Sequence, residues 1–218
     1  MTLEDDGFAM VSGVLNADEI QSVVVSMGSM SSAGRRGVLA VPEIAKLARS
    51  ERILALLRPY LPQEPVPVRG IYFDKSPDAN WLVSWHQDLT ITVHERVDSA
   101  GFGPWSVKDG VTHVQPPAEL LAKMLTVRIH LDDADASNGA LRVLRGSHRH
   151  GRLSAGQIQD MRSKCAEVLC AAKAGDALLI KPMILHASGR SSSEQHRRIL
   201  HIEYAGFNLP DGMRWCDE

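Results

Sequence analysis

Ser84-Trp85-His86-Gln87-Asp88 sets two good metal ligands one residue apart, and Ile184-Leu185-His186-Ala187-Ser188 supplies a third far downstream. The spacing His-x-Asp…His is that of a mononuclear non-haem iron centre, in which two imidazoles and one carboxylate hold one face of the metal. The remaining positions of an octahedral Fe(II) stay open for a co-substrate, for O2 and for the chemistry between them. Alternate side chains of a strand face the same way, so His86 and Asp88 are predicted to point into a common interior. Gln87 between them is read as a co-substrate contact or as a hydrogen-bonding support for the ligands.

Outward from this stretch the periodicity is that of strands. Ile71-Tyr72-Phe73, Trp81 to Val93, Leu125 to Leu131, Ala140 to Leu144, Asp176 to Ile180 and Ile199 to Tyr204 are short β-rich runs bounded by Gly, Pro, Asn and Ser. Many short strands predict a sandwich or barrel. With one metal-binding strand early and the other late, the arrangement resembles a double-stranded β-helix, a cupin-like jelly roll over residues 66–206.

The first 65 residues read as a mostly helical scaffold. Gly7 to Val11 predicts a short strand. Asn16 then caps a helix whose Glu19 completes a capping box and whose Ile20, Val23, Val24 and Met27 repeat at helical spacing. Met30 to Gly37 is predicted as a loop, and Pro42 opens a second helix that runs to Pro59. Ser154 to Gln157 again has capping-box form, predicting a surface helix. Residues 95–117, with Gly101, Gly103, Asp109-Gly110 and Pro116-Pro117, show too little periodicity for regular structure. Their Phe102 and Trp105 argue against disorder, so the segment is expected to be a lid that keeps water from the metal.

Length and charge fit one enzyme domain over residues 1–218. The chain of 218 residues is 44% hydrophobic, enough to bury a substantial core, and its formal charge is −2 with a pI near 6.5. There is no electrostatic case for nucleic acid or a membrane surface, so a small-molecule substrate is expected; oligomeric state is not legible. Cys165, Cys170 and Cys216 are odd in number and lack metal-ligand spacing, which fits a reducing compartment. The first residues lack a basic and an apolar signal region, and no apolar run approaches the ~18 residues of a membrane span, so the cytoplasm is expected.

Arg197 lies eleven positions after His186, in Gln195-His196-Arg197-Arg198-Ile199-Leu200. Two ligands one residue apart, a distant histidine and an arginine about ten residues beyond it resemble the Fe(II)/2-oxoglutarate-dependent dioxygenases. The chemistry explains the arginine. 2-Oxoglutarate chelates iron through its 2-oxo and C1 carboxylate oxygens, and its far carboxylate needs a planar, permanently charged fork.

Four stretches together resemble the phytanoyl-CoA dioxygenase (PhyH) family: Trp85 to Asp88, Asn138-Gly139-Ala140-Leu141-Arg142-Val143-Leu144-Arg145-Gly146-Ser147-His148, Ala174-Gly175-Asp176-Ala177-Leu178, and His186-Ala187-Ser188 through Arg197-Arg198. The resemblance implies oxidative decarboxylation of 2-oxoglutarate to succinate and CO2, coupled to hydroxylation of an aliphatic C–H bond. It does not imply a particular substrate or a coenzyme A ester. Arg145 stands where the family's Pro-Gly-Ser-His turn has proline. Asp88 favours hydroxylation, since related halogenases carry a small residue there.

Arg197 and Arg198 are adjacent on a strand, so one of them faces the interior, and the spacing from His186 favours Arg197. Ser188 shares a face with His186 and is a candidate second contact for the far carboxylate, beside the plainer reading of a turn serine. On Leu125 to Leu131, Thr126, Arg128 and His130 share one face. If it is the inner one, Thr126 is a co-substrate contact and Arg128 a contact for an anionic substrate; otherwise the polar face is solvated. Phe102, in the lid segment, is a further candidate substrate contact. Trp105 is either a co-substrate cap or the apolar anchor of its loop. His148 is expected to hydrogen-bond backbone in its Gly-Ser-His turn. Two other functions fit a jelly roll with this triad: a cupin-type metalloenzyme that uses no 2-oxoglutarate, and a non-catalytic small-molecule binding protein.

Overall fold

The computed structural model describes residues 2–28, 33–210 and 212–216. Thr2 accepts from the Asp5 amide and caps a short helix, α1 (Leu3–Asp6), that the sequence pattern did not announce. Gly7 ends it at φ +83°, and a Cβ there would lie 2.4 Å from the His148 ring, so glycine is required twice over. Strand β1 (Phe8–Val11) follows, and the Asn16 capping box with Glu19 opens α2 (Ala17–Met27) as expected.

Two expectations here need correction. Within the segment read as a loop, Gly34–Arg36 form an edge strand, β2, while positions 30–32 lie outside the described residues. The single helix from Pro42 is two, α3 (Pro42–Ala48) and α4 (Glu51–Leu57). Ser50 makes the break: its backbone is extended, and its hydroxyl donates to the Leu47 carbonyl at 2.7 Å, taking up an acceptor at the end of α3.

The strands then follow as β3 (Val66–Lys75), β4 (Val83–His86), β5 (Ile91–Val93), β6 (Trp105–Lys108) and β7 (Val111–Val114). After α5 (Ala118–Leu121) come β8 (Met124–His130) and β9 (Leu141–Leu144), and after α6 (Ala155–Lys164), which buries no residue, come β10 (Glu167–Cys170), β11 (Ala177–Ile180), β12 (His186–Ser188) and β13 (Arg197–Ala205). The run Trp81 to Val93 is thus two strands separated by Gln87 to Thr90, which puts Asp88 just past the end of β4.

A larger antiparallel sheet has the order β1-β11-β8-β13-β3-β2, and a smaller one β10-β9-β12-β4. Leu141, Val143, Leu178, Ile180 and Ile184 pack between them, giving the jelly roll. The outer face of the larger sheet is covered by the helices: Leu125, Val127, Ile129, Leu200, Ile202 and Tyr204 pack against Val23, Met27, Ile44, Ile53 and Leu57. Because the aliphatic residues of β8 and β13 turn outward to this layer, their polar partners turn inward, toward the space between the sheets.

Residues 95–117 are also a correction. Rather than an irregular loop, they contain the β6–β7 hairpin, which joins β5 in a third sheet of order β5-β7-β6. Ile91, Val93, Val114, Met213 and Trp215 form its core, with Phe102 and Trp105 packed against it. The Asp109-Gly110 turn, with Asp109 at φ 52°, is the local signal for that hairpin. Among the described residues no helix is long and apolar enough to cross a membrane.

Candidate metal centre and its cavity

His86 and His186 are register partners on β4 and β12, which brings residues a hundred positions apart side by side. The Asp88 amide donates to the Pro182 carbonyl at 3.0 Å, turning the carboxylate back toward both rings. Nε2 of His86 lies 3.7 Å from one Asp88 oxygen and Nε2 of His186 lies 3.5 Å from the other. Ligand atoms of the three residues all fall within 4.8 Å of one another.

Both rings are oriented from behind. Nδ1 of His86 donates to the Ser84 carbonyl at 2.8 Å and Nδ1 of His186 to the Ile184 carbonyl at 3.0 Å, leaving each Nε2 as a lone-pair donor for a metal. Burial pushes His186 down to about 4, so it is neutral and able to ligate at neutral pH. For Asp88 burial acts upward, but His186, His201, His86 and Arg69 outweigh it and hold the carboxyl below its ordinary range. This donor set, two imidazoles and a carboxylate open on one side, fits Fe(II).

The triad lines a cavity of about 790 Å³. Arg197 and Ser188 line it too, whereas Arg198 turns to the other side of β13 and forms a two-pronged pair with Asp132 at 2.8 and 2.6 Å. Arg197 is 3% exposed, and its Nε has no hydrogen-bond partner among the described residues. Arg128 lines the same cavity with its Nε likewise unpartnered, which shows that the polar face of β8 is the inner one. Thr126 shares that inward face but is not among the described residues lining the cavity, nor are Trp105 and Phe102. Trp105 instead lies under Arg96, 5.6 Å from ring centroid to guanidinium.

Lys75 was missed in the sequence. It ends β3 opposite Arg197, is fully buried, and donates to the Gly189 carbonyl at 2.6 Å with Ser188 Oγ at 3.5 Å. Burial, then the charges of Arg197, Arg128 and Arg190, push it down to about 8. Burial likewise brings Arg197 and Arg128 down to about 10. Three buried cations with no carboxylate paired to them among the described residues call for an anionic occupant. The Asn138-Gly139 turn closes this end: Gly139, at φ +74°, leaves no room for a Cβ, which would meet the Gly189 carbonyl oxygen at 2.4 Å. The period of two from Arg197 along β13 would also have found His201 and Glu203, which line the cavity as well.

Gln87 supports the site through backbone. Its amide donates to the Gly151 and Met183 carbonyls at 2.8 and 2.7 Å, and its oxygen accepts from the Leu153 amide at 2.8 Å. His148 donates from Nε2 to the Glu4 carbonyl at 3.1 Å, the backbone bond expected of it. Arg145 explains its departure from proline: its amide donates to the Ala166 carbonyl at 2.9 Å, which proline cannot do, and its guanidinium faces Asp6 at 3.7 Å.

Fold and site together define a jelly-roll protein with a two-histidine, one-carboxylate cluster at one end of a cationic cavity. The chain matches the model of the phytanoyl-CoA dioxygenase (PhyH) family over residues 3–199, and it belongs to that family. A probable alpha-ketoglutarate-dependent hypophosphite dioxygenase of Stutzerimonas stutzeri is 28% identical over 176 residues, covering 74% of this chain and 52% of that protein. The chain therefore spans about half the length of this curated relative. Among solved structures, AviO1 from Streptomyces viridochromogenes matches at TM-score 0.67 and 22% identity, covering 96% of this chain and 92% of that one. EctD from S. alaskensis, solved with 2-oxoglutarate and 5-hydroxyectoine, matches at 0.72 and 17%, covering 93% and 73%. HygX from Streptomyces hygroscopicus, solved with nickel and 2-oxoglutarate, matches at 0.65 and 18%, covering 93% and 84%. These likenesses establish the fold.

Proposed function

We propose that this protein is an Fe(II)/2-oxoglutarate-dependent dioxygenase that hydroxylates an aliphatic C–H bond of a small molecule. The observation that carries the reading is the pairing, in one cavity, of an open His86–Asp88–His186 cluster with a buried Arg197 whose Nε has no partner among the described residues. When bound, the iron and 2-oxoglutarate supply the oxidising chemistry, in which O2 is consumed, succinate and CO2 leave, and hydroxyl replaces hydrogen on the substrate.

The chain's own residues supply position and dryness. His86, Asp88 and His186 hold the metal, with the Ser84 and Ile184 carbonyls fixing both imidazole tautomers. Arg197, with Lys75 and Ser188 beside it, receives the far carboxylate of the co-substrate, and Arg128 balances the rest of its charge. The β5-β7-β6 sheet contributes Lys108 and His113 to the cavity wall, with Gln115 just past the end of β7, and acts as its lid. The relative from Stutzerimonas stutzeri supports the class of activity by its name.

Metal-free protein given Fe(II) and then 2-oxoglutarate without oxygen tests this. A weak visible charge-transfer band is expected, lost in His186→Ala. Iron binding with no band would transfer the lead to a cupin-type activity without 2-oxoglutarate.

A further inference from the structure

The cavity has a second polar wall, away from Arg197, that the proposed co-substrate does not use. Arg69 of β3, His201 and Glu203 of β13, Lys108 of β6 and His113 of β7 line it. Its hydrogen bonds run in one sense. Nη1 of Arg128 donates to His201 Nδ1 at 2.8 Å, so the ring proton of a neutral His201 sits on Nε2. That nitrogen faces Glu203 Oε1 at 3.4 Å, and Arg69 Nη1 donates to the same oxygen at 3.1 Å. Glu203 is thereby held by two donors and matched in charge by Arg69.

Other groups on this wall remain without partners. His113 is 2% exposed, and neither ring nitrogen has a hydrogen-bond partner among the described residues. Arg69 places one of its N–H groups on Glu203 and keeps the others. Lys108 stands at the rim, and the Arg36 guanidinium pairs with Asp109 at 2.7 Å across the hairpin turn. Of the five cations among the described lining residues, Arg36 is matched by Asp109 and Arg69 by Glu203, and Arg197 and Arg128 face the co-substrate, which leaves Lys108 with no carboxylate partner among the described residues. Asp88 belongs to the metal and Glu203 is already satisfied.

We propose that this wall receives an oxyanion, and that the substrate is a small organic acid whose carboxylate or phosphoryl group sits on Arg69, Lys108 and His113. The inference rests on the dioxygenase reading for what happens to the C–H bond. The wall itself stands on its own residues. A cationic substrate would meet the uncompensated Lys108 and the Arg69–Glu203 and Arg36–Asp109 pairs, with no free carboxylate among the described lining residues to receive it. An apolar one would leave the His113 ring and the spare Arg69 donors dehydrated and unbonded. An oxyanion satisfies both, and guanidinium is the side chain whose geometry matches it best.

The test is calorimetric titration of methylphosphonate, acetate and, as the cationic control, methylammonium into the protein loaded with Fe(II) and 2-oxoglutarate without oxygen. One or both acids are expected to bind saturably with the visible band retained, the tighter of the two naming the head group, while methylammonium does not bind. Lys108→Gln should weaken acid binding about fivefold, and Glu203→Gln should tighten it by about as much by removing a like charge. Tightening is a result that a misfolded variant does not produce. Acids that bind only by displacing 2-oxoglutarate, or equal affinity in both variants, or preferential binding of methylammonium, would overturn the proposal. If no band forms at all, the dioxygenase reading fails, and the same titrations into metal-free protein still decide whether the wall takes acids.

Discussion

His86 and His186 are cross-strand partners in the smaller sheet, their ring centroids 4.2 Å apart, and each donates from Nδ1 to the carbonyl two residues before it in the chain. The repetition of this local bond on two strands makes both Nε2 atoms converge. Asp88 completes the cluster from outside the strand, anchored by its amide on Pro182. The geometry is set by backbone on all three sides, so it does not depend on the ion to hold it together.

It follows that ligand variants should fold. His86→Ala, Asp88→Ala and His186→Ala are expected to keep the wild-type circular dichroism spectrum while losing more than about 100-fold in Fe(II) affinity, beyond the range typical of outer partners. Succinate production at the wild-type rate by any of the three would remove that residue from the ligand set.

Arg197 and Arg198 should separate cleanly. Arg197→Ala removes a charge-assisted contact of about 2–3 kcal/mol, raising the 2-oxoglutarate requirement roughly 30- to 150-fold with little loss of fold. Arg198→Ala breaks the partly exposed pair with Asp132 and should cost about 1 kcal/mol or less of stability, with the co-substrate requirement unchanged. Steady-state kinetics and denaturant midpoints read the two effects; the reverse pattern would exchange their roles.

Gln87 should behave as a positioning residue. Gln87→Leu leaves two backbone carbonyls and one amide without their partner and is expected to cost about 2–3 kcal/mol of stability. Because Gln87 lies between His86 and Asp88, Fe(II) affinity should fall by about tenfold as well. Stability lost with metal affinity intact would show that it serves the loop alone.

Lys75 makes 2-oxoglutarate binding pH-dependent. Its ammonium sits at about 8 in the folded protein, against 10.5 ordinarily, because of burial and then of Arg197, Arg128 and Arg190. A bound dianion favours the charged form and raises that value. Below about 8 the lysine is already charged and affinity is full; as pH rises through 8, binding must take up a proton, and affinity falls by up to about tenfold per pH unit. Titrations from about one unit below to about one and a half units above that value, followed by the visible band, check this, and Lys75→Met should flatten the profile. Folding has the opposite sign. A lysine depressed in the native state opposes folding most fully below 8, and that penalty fades as pH rises toward 10.5.

Much of this molecule is written locally. The Asn16 and Ser154 capping boxes, the aliphatic period of β8 and the His-x-Asp pair depend on residues a few positions apart, so their reading needs no knowledge of the rest of the chain. Arg197 was legible because adjacent residues on a strand face opposite ways, so one of the pair had to turn inward, and the spacing from His186 chose between them. The Ser50 break and the β6–β7 hairpin had short signals, a helix-capping serine and an Asp-Gly turn, that longer patterns obscured.

Other features belong to no segment by itself. Which face of β8 is inner depends on the helices, because their apolar stripe takes the aliphatic face of the sheet and leaves Arg128 to the cavity. Lys75 becomes a site residue only where β3 pairs with β13, and the Arg128–His201–Glu203–Arg69 chain spans three strands. Ligand identity is thus set by residue chemistry and spacing along the chain. Charge balance is set by burial and by pairing between distant strands, which exist only once the sheets have closed.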